Sequence, residues 1–150
     1  FIPSELSAAF GLEQLKRLKK YKIIRQKNYN SLLDTFSKIE KFFVLPTQLS
    51  NVDTPMLAFP FIIRDDAPFS RRELQVFLEK KDIQTRTIFT GNILRHPGFK
   101  GIKRKESSSG YPNSDLVMRG GMLIGCHHGM DQKQLEFVQS SIEEFSSKFR

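Results

Sequence analysis

The chain has 150 residues, of which 39% are hydrophobic and 27% charged, and its formal net charge is +8. This balance is typical of one compact globular domain, and the sequence contains neither a run of roughly 18 apolar residues for a membrane span nor a signal peptide. A single cysteine, Cys126, excludes an internal disulfide framework and indicates a reducing, cytoplasmic compartment.

The N-terminal region is predicted to be helical. Ser4 is a candidate N-cap, and apolar residues recur at spacings of three to four as far as Phe36. The pattern predicts one long amphipathic helix, or two in series with a bend near Lys19 to Lys22, ending at about Lys38. The first residue is not methionine, so we expect the chain to begin partway through a longer protein.

Two strands and a second helix are predicted next. Phe42 to Leu45 is a short apolar run, and Met56 to Arg64 is a predicted strand in which Pro60 indicates an edge position or a bulge. Ser70 and Glu73 form a capping box, in which each side chain bonds to the other residue's free backbone amide. The residues of this helix that are predicted to face inward are Leu74, Phe77 and Leu78.

The second half of the sequence is predicted to alternate strands and helices. Ile83 to Phe89 is a strand, and Thr90 to Asn113 is a Gly-, Ser- and Pro-rich segment that is too long for a plain connector. A short helix at 115–119, a strand at 122–125 and a final helix from Asp131 follow. The order predicts an α+β fold, a small, mainly antiparallel sheet covered by helices. Residues predicted for the core include Phe10, Leu15, Phe77, Leu78, Val138 and Ile142.

Four stretches together resemble one enzyme family. They are SELSAAFGLEQL at 4–15, RDDAPFSR at 64–71, TRTIFTGNILRHP at 85–97 and IGCHHGM at 124–130. In this order they resemble the C-terminal third of the DegT/DnrJ/EryC1/StrS-type sugar aminotransferase and dehydratase family, which has the aspartate-aminotransferase fold. The third stretch is similar to the branch that contains CDP-4-dehydro-6-deoxyglucose 3-dehydrase.

The resemblance implies a domain assignment and a function. Residues 1–150 would form the small C-terminal domain, with 1–40 as the linking helix or helices, and the large cofactor-binding domain would lie upstream. Such enzymes are cytoplasmic homodimers that bind pyridoxal or pyridoxamine phosphate (PLP or PMP) and a nucleotide-linked keto-sugar. The 3-dehydrase branch also uses an iron–sulfur cluster and a reductase partner. We expect this chain alone to hold neither the cofactor nor a cluster, since one cysteine cannot supply four ligands.

Four polar residues near the third stretch are candidates for substrate binding. Arg86 could contact a carboxylate or phosphate with two hydrogen bonds, and the alternative is a structural salt bridge. Asn92, after Gly91, could bind a sugar or a base edge, and the alternative is a simple turn. Arg95 and His96 precede Pro97, and Arg95 is a candidate diphosphate contact, with a surface role as the alternative.

Other residues give weaker signals. Cys126 is predicted to be a small buried side chain rather than a nucleophile, and the adjacent His127 and His128 lack the neighbours of a metal site. Several positions depart from the family pattern, which leaves retained activity open. They are Ile2, Ser7, Met56, Leu57 and His128.

The basic residues suggest a further possibility. One cluster lies on the N-terminal helix, where it is typical of a solvated face, and the other comprises Lys100, Lys103, Arg104 and Lys105. Neither accompanies a nucleic-acid-binding motif, so the sequence does not favour nucleic acid as a partner. The main hypothesis is therefore a nucleotide-sugar 3-dehydrase domain. Alternatives are an aminotransferase of the same family, a stand-alone nucleotide-sugar or protein-binding module, and a nucleic-acid binder.

Overall fold

A computed structural model of the protein describes residues 2 and 4–149. Within these residues the elements follow the predicted order of helices and strands. They are α1 (Glu5–Ser37), β1 (Phe43–Val44), β2 (Ala58–Ile63), α2 (Arg71–Glu79), β3 (Thr85–Thr87), α3 (Pro112–Gly120), β4 (Gly121–Gly125) and α4 (Gln132–Ser147). Short 3-10 turns occur at Glu40–Phe42, Ile93–Arg95 and Pro97–Phe99.

Local capping signals define the helix starts. Ser4 accepts a hydrogen bond from the Ser7 amide at 3.3 Å, and α1 then runs without a break. Ser70 caps α2 through the predicted capping box, and Asp131 forms a second box at the start of α4. No helix of the described chain is long and apolar enough to cross a membrane.

The strands form one sheet in the order β1-β2-β4-β3, with every neighbouring pair antiparallel. Residues alternate along β2 between the two faces, so that Phe59, Phe61 and Ile63 are buried. The second half of α1 packs on this face, and α4 packs against α1 and α2 and contributes its buried residues to the same core. The predicted α+β class is therefore confirmed.

Aromatic side chains fill the centre of the core. The Phe36 ring lies 5.1 Å from that of Phe43, 5.0 Å from Phe59 and 4.7 Å from Phe61, between ring centroids. Each fully buried side chain of this size contributes roughly 1.5–3 kcal/mol relative to exposure. The predicted core residues Leu78, Val138 and Ile142 are also buried, and Phe77 is half-buried against the same cluster.

Two of the predicted core residues are exposed. Phe10 and Leu15 are 67% and 64% exposed, so the prediction that they belong to the core is wrong. The helical spacing does predict the helix, but in the described residues the first half of α1 extends beyond the sheet and the other helices. Burial needs a packing partner as well as periodicity, and here the described chain provides none.

Pro60 lies in an interior strand with a regular register, so the predicted bulge is absent from β2. The proline is tolerated because its missing N–H faces the β1 side. Leu57 O accepts from Cys126 N at 3.2 Å, so the backbone N–H and C=O groups of the odd-numbered residues face β4. By alternation, the backbone groups of the even-numbered residues, including Pro60, face the β1 side. Since β1 pairs only with Ile62 and Ile63, the strand is locally an edge at Pro60.

Candidate functional site

The candidate site is the segment Thr90–Phe99, here called the 90–99 loop. The preceding strand β3 ends at Thr87, earlier than the predicted Phe89, and Phe89 adopts a positive φ of 46°. Gly91 has a φ of +65°, and a Cβ there would lie 2.4 Å from the Met118 Cβ. Only glycine allows the loop to approach α3 this closely.

The Asn92 side chain fastens the loop to α3. Its Nδ2 donates to Asp115 Oδ1 at 2.7 Å, and its Oδ1 accepts from the Leu94 amide at 3.0 Å. The residue is only 4% exposed. Both ends of the amide are therefore engaged within the protein, which combines the predicted turn with a tertiary contact.

Arg95 reaches the same carboxylate. Its Nε donates to Asp115 Oδ1 at 3.0 Å and its Nη2 to Asp115 Oδ2 at 2.7 Å, a two-pronged pair. Hydrogen bonds from Arg95 and then from Asn92 lower the pKa of Asp115 to about 2. The carboxylate is therefore charged at neutral pH, and both Asn92 and Arg95 of the loop bond to it.

The other two predicted site residues have different positions. His96 Nε2 lies 2.8 Å from Thr90 O and so closes the loop on itself. Arg86 lies in β3 with an exposed side chain, and no hydrogen bond or ion pair joins it to the loop in the described part of the chain. The structure thus brings together three of the four candidates and leaves Arg86 apart.

The surface beneath the loop is firmly held. A Cβ on Gly120 would lie 2.3 Å from Ile63 O, so α3 packs directly on β2. Arg71 Nη1 donates to Met118 O at 2.7 Å, and Arg119 forms a two-pronged pair with Asp65 at 3.0 and 2.6 Å. The helix is therefore a rigid platform for the 90–99 loop.

A cavity of about 240 Å³ lies beside the loop. Residues 91–94 of the loop line it, together with Lys105, Tyr111 and Ser114. Tyr111 is the N-cap of α3 and Ser114 lies in its first turn, so the cavity lies where the loop meets the start of this helix.

Asp115 is the site residue that the sequence interpretation missed. The sequence predicts only that it belongs to a short helix, because its partners are 20 and 23 residues away and a pairing at that distance has no local signature. One sequence feature does point to Asp115: it is an acidic residue in the first turn of a helix, where a negative charge is favoured. The loop before this helix carries an asparagine and an arginine that could bond to it.

The His127–His128 turn has a structural role. The His128 ring stacks on Tyr21 with centroids 3.8 Å apart, and its Nδ1 accepts from Arg25 Nε at 3.2 Å. Asn28 Nδ2 donates to His127 O at 3.0 Å. The turn therefore fastens the middle of α1, and no group of metal-ligating side chains occurs among the residues described.

Cys126 is buried, as predicted, and its Sγ donates to Met56 O at 3.4 Å. Burial raises the pKa of its thiol to about 12, although the nearby Arg25 acts in the opposite direction. A thiol in this state is a poor nucleophile at neutral pH.

The fold and the loop now define the class of protein. The sequence signature of the DegT/DnrJ/EryC1/StrS aminotransferase family matches residues 4–143. The chain belongs to this family, which confirms the resemblance inferred from the four sequence stretches.

Individual relatives show which members of the family the chain is similar to. The chain is 32% identical to dTDP-4-dehydro-2,6-dideoxy-D-glucose 3-dehydratase of Saccharopolyspora spinosa, over 97% of this chain and 31% of the relative. It is 30% identical to lipopolysaccharide biosynthesis protein RfbH of Salmonella typhimurium, over 95% and 32%. The solved structure of E. coli GDP-4-keto-6-deoxy-D-mannose-3-dehydratase with bound hydrated PLP superposes with a TM-score of 0.79 at 27% identity, covering 93% of this chain and 35% of that one. The chain therefore spans about a third of the length of the curated relatives it matches.

Lysines are the side chains through which a chain can bind pyridoxal phosphate covalently. Enzymes hold this cofactor with a Schiff-base lysine and a charged partner for the ring nitrogen. Every lysine among residues 2 and 4–149 is at least partly exposed. Lys81, with 28% of its side chain exposed, is paired with Glu144 at 2.9 Å.

Proposed function

We propose that this chain is the substrate-covering, C-terminal part of a PLP- or PMP-dependent nucleotide-sugar enzyme. The reaction we propose is the 3-dehydration of a CDP-4-keto-6-deoxyhexose in deoxysugar and lipopolysaccharide biosynthesis. One observation carries the proposal. Relatives at 30% identity or above match almost the whole chain with about a third of their length, and they are named a nucleotide-sugar 3-dehydratase and a lipopolysaccharide biosynthesis protein.

The chain's own part in this function is to bind and cover the substrate. We propose Arg86, Asn92, Arg95 and His96 as the substrate-side residues. The attachment of Asn92 and Arg95 to Asp115 supports a covering role, because a loop held in one conformation orients a ligand at a lower entropic cost. In this proposal the same loop also excludes water from the bound substrate.

In this proposal the cofactor is bound by another part of a longer polypeptide, in a cytoplasmic homodimer that uses an iron–sulfur cluster and a reductase partner. Residues 1–150 alone are then expected to bind no pyridoxal phosphate. The measurement is the absorbance of the purified chain mixed with the cofactor, followed by borohydride treatment and mass spectrometry. A stoichiometric aldimine band, with one lysine modified, would contradict this part of the proposal.

The reaction itself is tested on the longer protein that contains this chain. It is incubated with pyridoxamine phosphate, its reductase and an electron donor for that reductase, because removal of the C3 oxygen is a reduction. The substrates compared are CDP-, GDP- and dTDP-4-keto-6-deoxyhexoses, since the names of the relatives carry dTDP and GDP. Mass spectrometry should detect loss of the C3 oxygen from the CDP-sugar. An amino group gained from glutamate, without loss of oxygen, would instead assign the aminotransferase reaction.

A substitution in the loop tests the substrate-side assignment. Arg95→Ala in the longer protein should weaken nucleotide-sugar binding by about tenfold or more, the range for a charged hydrogen bond. Calorimetric titration measures the affinity, and circular dichroism checks that the variant is folded. Lys133→Ala, an exposed position on α4, is the matched control. Equal affinities for the Arg95 variant and the wild type would remove Arg95 from the substrate side.

The same titrations address the other functional classes. A stand-alone binding module would bind a nucleotide-sugar without converting it in any form of the protein. A nucleic-acid binder would show affinity for oligonucleotides that falls steeply with salt and no preference for nucleotide-sugars. Either result would overturn the proposed dehydratase function.

A further inference from the structure

A groove on the side of α1 has no part in the proposed substrate site. It lies between the helix and the segment that contains Asp53, and its volume is about 420 Å³. The residues that line it are Lys19, Lys22, Ile23, Gln26, Lys27 and Asp53. Lys22 forms an ion pair with Asp53, which is 31 residues further along the chain. The α1 groove is therefore built from two distant parts of the sequence that a tertiary contact brings together.

The groove and its rim carry cations that the described chain does not neutralise. Lys19, Lys20 and Lys27 form no ion pair or hydrogen bond with any described residue, whereas Lys22 is paired with Asp53. A surface of one charge raises the local concentration of ligands of the opposite charge and speeds their association. The α1 groove thus favours an acidic ligand.

An apolar side chain lies at the centre of these cations. Ile23 lines the groove and is 64% exposed. At 3.6 residues per turn, Lys19 lies about one turn before it and Lys27 about one turn after it, on the same face of α1. This face is opposite to the stripe of α1 that enters the core. Core packing therefore does not account for Ile23, and lysines alone would solvate this face.

The composition of the groove favours a protein segment over other anionic surfaces. A nucleic acid would bring its phosphates against the Asp53 carboxylate, and among the described residues no aromatic side chain lines the groove for base stacking. A membrane surface is flat and requires a continuous apolar face, whereas here Ile23 is isolated among lysines in a concave site. A protein segment can instead place one apolar side chain between separated carboxylates.

A second copy of this chain is a poorer match for the same groove. A two-fold contact through the groove would place lysines against lysines. The adjacent carboxylates Glu143 and Glu144 on α4 are already paired with lysines of the same chain. The complementary acidic surface therefore has to come from a different protein.

We propose that the α1 groove docks an acidic segment of a partner protein. An apolar side chain of that segment packs on Ile23, and the carboxylates on either side of it pair with Lys19, Lys20 and Lys27. The six residues that line the groove are fewer than the roughly 20–30 residues that each side of a standard interface contributes, so the complex is transient. This inference goes beyond the proposed function and does not depend on it.

The first test is a selection of binders to residues 1–150 from a displayed library of random linear peptides. The enriched peptides should carry several Asp or Glu residues around a Leu, Ile or Phe, which are the side chains that the groove complements. The same selection on the longer protein should return the same motif. Enrichment of uncharged or basic peptides, or of none, would overturn the inference, and so would loss of the motif in the longer protein.

Binding rates then separate the two kinds of contact. An enriched peptide is synthesised, and its association and dissociation are followed by surface plasmon resonance at low and high salt. Lys19→Gln combined with Lys27→Gln should lower the association rate constant at low salt by about tenfold and reduce its dependence on salt. Ile23→Ala should instead raise the dissociation rate constant by about tenfold, because it removes buried apolar surface. Lys133→Gln, an exposed position on α4, is the matched control and should change neither rate constant.

These exposed substitutions should leave the fold intact, which circular dichroism checks. Unchanged rate constants for either groove variant would place the peptide elsewhere on the protein and would overturn the inference. The competing occupants are measured with the same variants. The probes are an oligothymidylate, vesicles of phosphatidylcholine with phosphatidylglycerol, and the protein itself in sedimentation experiments.

Each competing occupant has its own signature. Oligonucleotide or vesicle binding that depends on Lys19 and Lys27 but not on Ile23, and that displaces the peptide, would reassign the groove to that ligand. A dimer of residues 1–150 that Ile23→Glu dissociates would assign the groove to a second copy. Peptide binding that depends on all three residues, with neither of those results, supports the partner segment. None of these outcomes bears on whether the longer protein removes the C3 oxygen.

Discussion

The two halves of α1 have the same backbone conformation and opposite surroundings. In the first half, large apolar side chains are exposed. They are Leu6, Phe10, Leu12, Leu15 and Leu18. In the second half, Tyr29, Leu32 and Phe36 are at most 2% exposed. One continuous helix thus passes from an exposed region into the centre of the core.

Burial follows the arrangement of apolar residues around the helix rather than their number. At 3.6 residues per turn, Leu6 and Phe10 lie on one side of the helix and Leu15 lies on roughly the opposite side. The buried residues of the second half instead form one stripe, at positions 28, 29, 32, 35 and 36. A single stripe matches one packing surface, whereas apolar residues all round a helix do not identify which surface, if any, will cover them.

The largest effect is expected from Phe36, at the centre of the buried half. Phe36→Ala should reduce the free energy of unfolding by about 3–5 kcal/mol, because it removes an aromatic ring from a site surrounded by other rings. Chemical denaturation followed by circular dichroism measures the change. A loss below about 1 kcal/mol would show that the second half of α1 is not part of the core.

A smaller effect is expected where the helix becomes buried. Asn28→Ala should cost about 1–3 kcal/mol, because His127 O would lose its partner at 3.0 Å in a nearly buried position. Asn30→Ala is the matched control, since Asn30 is exposed and its side chain accepts, among residues 2 and 4–149, only from the Gln26 side chain. Equal losses for the two variants would mean that the Asn28 bond does not fasten α1 to the turn.

His128, which is stacked on Tyr21, should make the stability of the protein depend modestly on pH. Partial burial, Arg25 and His127 lower the pKa of His128, so the unfolded chain binds this proton more tightly than the folded chain. Stability should therefore decrease as the pH falls below about 6.5, the ordinary histidine value. Thermal unfolding between pH 7 and pH 5 measures this loss of stability. The control is His128→Phe, which keeps an aromatic ring stacked on Tyr21 but cannot bind the proton. An identical pH profile for the variant would exclude His128 as the cause.

The smallest effect is expected in the exposed half. Leu15→Ala should change the free energy of unfolding of residues 1–150 by less than about 0.5 kcal/mol, the range for exposed positions. Denaturation in parallel with Phe36→Ala measures the contrast directly. A loss of about 2 kcal/mol or more would mean that Leu15 is packed in solution and that the two halves of α1 are not distinct.

Local sequence features account for much of the fold. Ser4, the Ser70–Glu73 pair and Asp131 begin helices where capping predicts them, because these contacts involve residues only three positions apart. The order of elements and the burial of Leu78 and Ile142 follow from periodicities in the same way. The family motif is also the basis on which the 90–99 loop is proposed as the site.

Tertiary structure decided the features that depend on distant partners. The exposure of Phe10, the position of Pro60 beyond the end of β1, and the separation of Arg86 from the loop depend on which elements lie next to one another. The convergence of Asn92 and Arg95 on Asp115 has the same origin, since the carboxylate is 20 or more residues away along the chain. Hydrogen bonding of this kind has no sequence period, and only the folded chain brings the donors and the acceptor together.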